Sequence, residues 1–246
     1  ITSSISKSFP VADAGLGAFV YLLETLMGCK GSPRRWHTMP WIVMLFSFLV
    51  VPAGLVSIIL IMLQPIVVGY WCGWCLLTAF CMLIMIALTV DEAAVVIQYL
   101  RRVKQEGKPF WKIFWGGGTS KGTESIKPVA VNLKNMKQGV TFSLSLLLSA
   151  LIGGWLMFSE PYLNIAGAGA NSNHILGALI VTVSMIAMAD VIWSVRSLNI
   201  LFGILAIIFP LVLEGFPPEA TWVNFGLGIA LIVLGGNVFR CRRCSS

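Results

Sequence analysis

The sequence predicts an all-α polytopic membrane protein of about seven membrane helices, and three observations carry that reading. Of its 246 residues, 57% are hydrophobic and only 11% charged, with a mean hydropathy of +0.88, a balance foreign to a soluble domain of this size. Apolar runs long enough to cross ~30 Å of hydrocarbon at ~20 residues each recur at 39–63, 65–90, 138–158, 173–195, 197–213 and 221–239. The lysines and arginines fall in alternate connections, as cytoplasmic loops require.

Taken in order, residues 1–12 are Ser-rich and end in Phe9-Pro10, which suits an exposed lead-in, and Ile1 in place of an initiator Met reads as a processed or internal start. A seventh helix at 13–28 is short and carries Asp13 and Glu24, so it reads as packed against protein, with Glu24 paired to Lys30 or Arg34. The run at 65–90 starts on Pro65, a favoured first helical residue, which sets Cys72 and Cys75 about two turns inside the helix. At that depth the helix dipole helps a thiolate only weakly, since it fades within the first turn.

The connection from Asp91 to Lys137 begins as a helical extension through Gln98-Tyr99-Leu100-Arg101-Arg102. Its stretch Lys108-Pro109-Phe110-Trp111-Lys112-Ile113-Phe114-Trp115 mixes basic and aromatic residues and suits a headgroup surface. Gly116-Gly117-Gly118-Thr119-Ser120-Lys121 lacks the spacing and preceding strand of a phosphate loop and reads as flexible linker.

Alternating the helices puts sixteen of the seventeen basic residues on one side: Lys30, Arg34 and Arg35, nine from Arg101 to Lys137, Arg196, and Arg240, Arg242 and Arg243. Only Lys7 falls opposite, where the loops hold Glu160, Glu214 and Glu219. The expected placement therefore has the 91–137 loop and the C-terminus cytoplasmic and Cys72 and Cys75 near the outer face. The net charge of +7 reports this topology and calls for no nucleic-acid partner.

The segment Gly69-Tyr70-Trp71-Cys72-Gly73-Trp74-Cys75 is the most informative in the chain. Cysteines three apart on a helix share a face and can close a disulfide or present one thiolate while the other resolves it. The plain alternative is a pair of buried cysteines acting as small apolar residues. Tyr70, Trp71 and Trp74 flank the pair and strengthen the signal.

Over residues 13–100 the chain resembles the vitamin K epoxide reductase family. The resemblance rests on Ala14-Gly15-Leu16-Gly17-Ala18 with Tyr21, the Gly28-Cys29 and Arg35-Trp36 turn, Pro52-Ala53-Gly54, and Cys72-Gly73-Trp74-Cys75-Leu76 leading to Asp91-Glu92. It implies a helical bundle around a quinone, with Cys72 and Cys75 as the quinone-proximal pair, Cys75 reacting with the quinone and Cys72 resolving. The family's first helix and its outer-loop cysteine pair would precede this segment, and no cysteine occurs before Cys29. Electrons are then expected from a thioredoxin-like thiol partner on the outer side, or the bundle keeps the dithiol without turnover, and the groove left by the missing helix is expected to be filled by a missing segment or another membrane subunit. Under this resemblance Trp71, Trp74 and Tyr70 are the candidate quinone contacts, and the expected setting is a bacterial inner membrane with the pair near its periplasmic face.

The second half repeats. Gly154, Pro161 and Gly177 recur as Gly203, Pro210 and Gly226, each unit a helix, a proline-bearing turn and a returning helix. With Trp155, Ser159 and Pro161, this pattern over 140–238 resembles the SPW repeat module. Gly153, Gly154, Gly177, Gly203, Gly226 and Gly228 suit close helix approach in lipid.

The expected domains are 1–105, a bundle like that of the reductase family; 106–137, a cytoplasmic linker; and 138–246, a four-helix repeat module with a basic tail. Asp190 is expected to pair with Arg196, and His37 and His174 occupy loop or interfacial positions with no ligand-spaced companion, so no metal is expected. Cys241 and Cys244 lie in the basic cytoplasmic tail, where thiols stay reduced, and read first as a free tail, with lipid attachment or half of a shared zinc site as the alternatives. Two functions follow: a thiol-disulfide oxidoreductase linked to a membrane quinone, or a non-catalytic accessory subunit of a larger membrane complex.

Overall fold

In the computed structural model the residues described are 13–29, 38–118, 143–189 and 195–243, with the side chains of 13, 14, 16 and 237–243 left aside. Among them the chain forms nine α-helices: α1 (Asp13–Cys29), α2 (Pro40–Leu63), α3 (Gly73–Gln105), α4 (Phe110–Gly116), α5 (Leu144–Met157), α6 (Glu160–Leu163), α7 (Gly167–Ile186), α8 (Leu198–Val212) and α9 (Pro218–Arg243). Five segments are long and apolar enough to span a bilayer, and Gly17–Cys29 and Leu144–Met157 are shorter apolar helices. The all-α membrane class holds.

By their internal contacts the residues fall into two compact units, 1–53 with 92–132 and 54–91 with 133–246, so the boundary cuts through α2 and α3. In the first unit Val43, Val96 and Leu100 form a buried cluster closed by Phe110 and Phe114 of α4. Gly117 ends α4 at φ 74°, tight against the Thr38 carbonyl, where a side chain would have no room. Trp115 packs on Trp41 with ring centroids 5.7 Å apart, while Trp111 stays exposed. Below them Arg101, Arg102 and Lys104 are exposed on the last turns of α3, which at ~1.5 Å per residue outruns the hydrocarbon thickness. Past its end, Lys108 bonds and charge-pairs with Glu106 at 2.6 Å, which holds the Glu106 carboxyl below its usual range and the ammonium above its own.

Glu24 is buried in α1 with Oε1 lacking a hydrogen-bond partner among the described residues. Its expected partners Lys30 and Arg34 lie outside those residues, as do His37, Asp190 and Cys244; Cys241 is placed in backbone only. Arg196 donates from Nε to the Ala187 carbonyl at 2.9 Å.

The second unit contains the two hairpins, α5 with α7 and α8 with α9. They also pair crosswise, α7 on α8 and α5 on α9, as an approximate two-fold rotation demands. Gly153 abuts Gly177, and Gly203 abuts Gly228, each so closely that an added Cβ would stand within 2.8 Å of the facing carbonyl. Gly154 and Gly226, which the sequence pattern also assigned to close approach, face open space. The spatial equivalence therefore pairs Gly153 with Gly203 and Gly177 with Gly228, one or two residues off the period of 49 that the sequence suggested.

Asn173 and Asn224 are equivalent in the same sense and touch, which sets them at the axis: Asn224 Nδ2 donates to Asn173 Oδ1 at 2.8 Å, and Asn173 Nδ2 donates to Asn224 Oδ1 at 3.3 Å. Asn173 Nδ2 also reaches Ser159 Oγ at 3.3 Å. A buried amide in lipid needs such partners. Around them pack Leu156, Ile180, Ala206 and Leu231. The second hairpin differs from expectation in its turn: Pro210 lies inside α8, and the chain reverses after Val212 through Gly215 at φ 101°, whose carbonyl accepts the Ala166 N–H at 3.0 Å.

Candidate functional site

Pro65 does not begin a helix. Residues Gln64–Val68 continue α2 as one π-helical turn, closed by Gly69 in the left-handed region (φ 74°), whose N–H returns to the Gln64 carbonyl at 3.1 Å. The chain bends at Gly69 and Tyr70, carries no regular structure at Trp71 and Cys72, and enters α3 at Gly73. Proline is tolerated there because a widened turn relieves its clash with the preceding carbonyls, and glycine supplies the reversal.

This moves the dithiol. Cys72 is the cap of α3: its carbonyl accepts the Leu76 N–H at 3.1 Å, and its Sγ accepts the Cys75 N–H at 3.3 Å. Cys75 sits in the first turn, the one place where helix N–H groups lack internal partners and the dipole favours negative charge. The sequence reading placed both about two turns deeper and discounted the dipole; with the helix start at Gly73 that discount no longer holds. Cys72 and Cys75 are joined as a disulfide, Cα atoms 5.3 Å apart. Cys29 and Cys81 are free and exposed.

The loop before Cys72 is held at three points. Gln64 Oε1 accepts the Cys72 N–H at 3.3 Å. Trp71 packs tilted on Phe158 of the first repeat hairpin, centroids 4.8 Å apart, and meets His174 of α7 edge-on at 4.9 Å. His174 is itself fixed, its Nε2 donating to the Ile61 carbonyl at 3.2 Å. It is 4% exposed and lies within α7, not in a loop. A carbonyl brings no proton, so Nε2 carries the one between them, and Nδ1 has no hydrogen-bond partner among the described residues.

Of the aromatic candidates, Trp71 alone is drawn inward, at 39% exposed, whereas Tyr70 and Trp74 are 80% and 79% exposed and point away. What the sequence reading missed is the repeat half. Phe158 and His174 carry no motif, and His174 reaches Ile61 across 113 residues of chain. An apolar cleft of about 750 Å³ is lined by Leu76, Leu83, Gly154, Met157 and Met188 among others; it begins one residue past Cys75 in the chain, and neither cysteine lines it. Its hydroxyl, Thr182, is already bonded to the Ala178 carbonyl at 2.8 Å. Such a lining fits the hydrocarbon body of a quinone and gives no foothold to a charged ligand. Among the described residues no three His, Cys, Asp or Glu side chains gather as a metal set.

Two family models match the chain. The Vitamin K epoxide reductase family matches residues 1–90 and the SPW repeat domain matches 144–237, in that order. No curated protein and no solved structure matches it.

Proposed function

We propose that this protein is a membrane thiol-disulfide oxidoreductase in which Cys72 and Cys75 pass electrons to a membrane quinone. The observation that carries the reading is the Cys72–Cys75 pair at the capped start of α3, inside a segment matched by the vitamin K epoxide reductase family. In the reduced state the first-turn N–H groups favour negative charge on Cys75, whose sulfur would add to the quinone; Cys72, held as the helix cap, would then attack the Cys75 sulfur, so that the S–S bond forms as the sulfur–quinone bond breaks. Two thiols surrender two electrons and two protons as the S–S bond forms, and the quinone supplies the acceptor for both, leaving as hydroquinone. Leu76 and the cleft beyond it would hold its apolar body. A thioredoxin-like thiol partner re-reduces the pair, on the periplasmic face of a bacterial inner membrane, while the 91–137 loop and the C-terminus are cytoplasmic. The working divisions of the chain are then 1–105, 106–137 and 138–246.

The test is re-oxidation in proteoliposomes. The protein is reduced, freed of reductant, and mixed with a soluble quinone, and its free thiols are counted by alkylation with time. Quinone-dependent loss of the Cys72 and Cys75 thiols, absent in Cys75→Ala, supports the proposal; thiols indifferent to quinone would leave an accessory subunit as the reading.

A further inference from the structure

The repeat half supplies no obvious chemistry of its own, yet it contributes both ring contacts that grip the residue preceding the dithiol. Trp71 lies between Phe158, at the end of α5, and His174, on α7. His174 is not a passive wall. Its proton is spent on the Ile61 carbonyl of α2, which fixes the ring plane and ties α7 to the helix that enters the loop. From Ile61 to Cys75 the chain thus contains a π turn, a left-handed glycine and an irregular stretch at Trp71 and Cys72, and it is braced at Gln64, Trp71 and the Cys72 cap.

We propose that the repeat module is the positioning element for the Cys72–Cys75 couple, with His174 and Phe158 setting the dithiol through Trp71. This rests on the reading of that pair as a redox couple. The disulfide state holds the two cysteines together by its own bond, but the dithiol state has no such tether, and there the loop geometry decides how often one sulfur meets the other. A gripped Trp71 raises the effective concentration of one thiol at the other, and releasing it lowers that concentration. Since disulfide formation scales with effective concentration, loosening the grip must make the disulfide easier to reduce, and each tenfold loss moves the couple upward by about 30 mV.

The experiment is a redox titration of the full chain in lipid nanodiscs against glutathione buffers, read by alkylation of Cys72 and Cys75. The variants are His174→Ala, Phe158→Ala, Trp71→Ala and the double His174→Ala/Trp71→Ala. His174→Ala is expected to lower the dithiol-to-disulfide equilibrium constant about threefold to tenfold, an upward shift of roughly 15–30 mV. Phe158→Ala is expected to move it the same way. In the Trp71→Ala background His174→Ala is expected to add nothing, because its route to the cysteines has been removed. His174→Phe keeps a ring against Trp71 and is expected to restore part of the shift. A merely structural His174 would lower the amount of folded protein and leave the potential of what remains unchanged, and that result would overturn the inference. So would an equal shift with and without Trp71. If the parent pair does not titrate at all, the oxidoreductase reading fails before this one is reached.

Discussion

Gly177 and Gly154 lie at the same level of the first hairpin, and the structure predicts opposite signs for replacing them with alanine. A Cβ on Gly177 would stand 2.5 Å from the Gly153 carbonyl oxygen, 2.6 Å from the Met157 nitrogen and 3.0 Å from its Cα. All three are backbone atoms, and ordinary contact is about 3.5–4.0 Å, so α5 must retreat by roughly an ångström and loosen Leu156 against Ile180. Overpacking of that kind costs about 1–3 kcal/mol, against which alanine's helix preference returns less than about 1 kcal/mol. On Gly154 a Cβ meets nothing within 4 Å, so Gly154→Ala keeps only the favourable part, about 0.4–1 kcal/mol. The two variants differ by the overpacking cost, so at about 2–4 °C per kcal/mol for a chain of this size they should separate by roughly 2–12 °C in midpoint. Thermal unfolding in detergent, followed by tryptophan fluorescence, reads this directly. The approximate two-fold repeats the test: Gly228→Ala should destabilise, its Cβ falling 2.6 Å from the Gly203 carbonyl, and Gly226→Ala should not. Midpoints that move together within either pair would refute the assignment of which glycine faces the partner helix.

Other expectations follow from the same contacts. Asn173→Ala and Asn224→Ala each strand a buried amide and should cost about 1–3 kcal/mol, while the double variant costs clearly less than their sum; unfolding midpoints of all three decide it. Ala150→Phe intrudes into the apolar cleft that begins at Leu76 and should slow quinone-driven oxidation several-fold while leaving reduction by dithiothreitol unchanged, two rates measured on one preparation. Gly117→Ala asks alanine for φ 74° against the Thr38 carbonyl and should free α4, raising protease cutting near Gly117 in membrane vesicles.

The membrane class, the helices and the cysteine pair were legible because they are written in composition and local spacing. Two errors have local physical causes. Pro65 looked like a helix start because proline favours that position, but it is equally at home in a widened final turn when a glycine follows to reverse the chain, and only the placement of Gly69 decides between them. The repeat was read out of register because Gly153-Gly154 and Gly226-Leu227-Gly228 each offer two glycines to match, and the tighter period chose the wrong partner. The contacts of Trp71 with Phe158 and His174 left no trace in local pattern, since they join distant parts of the chain.

The most direct test of the central claim is the redox state of Cys72 and Cys75 in native membranes, acid-quenched and labelled with a mass-shifting maleimide, while the quinone pool is driven reduced and then oxidised. The account predicts that the pair opens to a dithiol when the pool is reduced and closes to a disulfide when it is oxidised, with the response lost in Cys75→Ala. A pair that stays in one state whatever the pool does would contradict it.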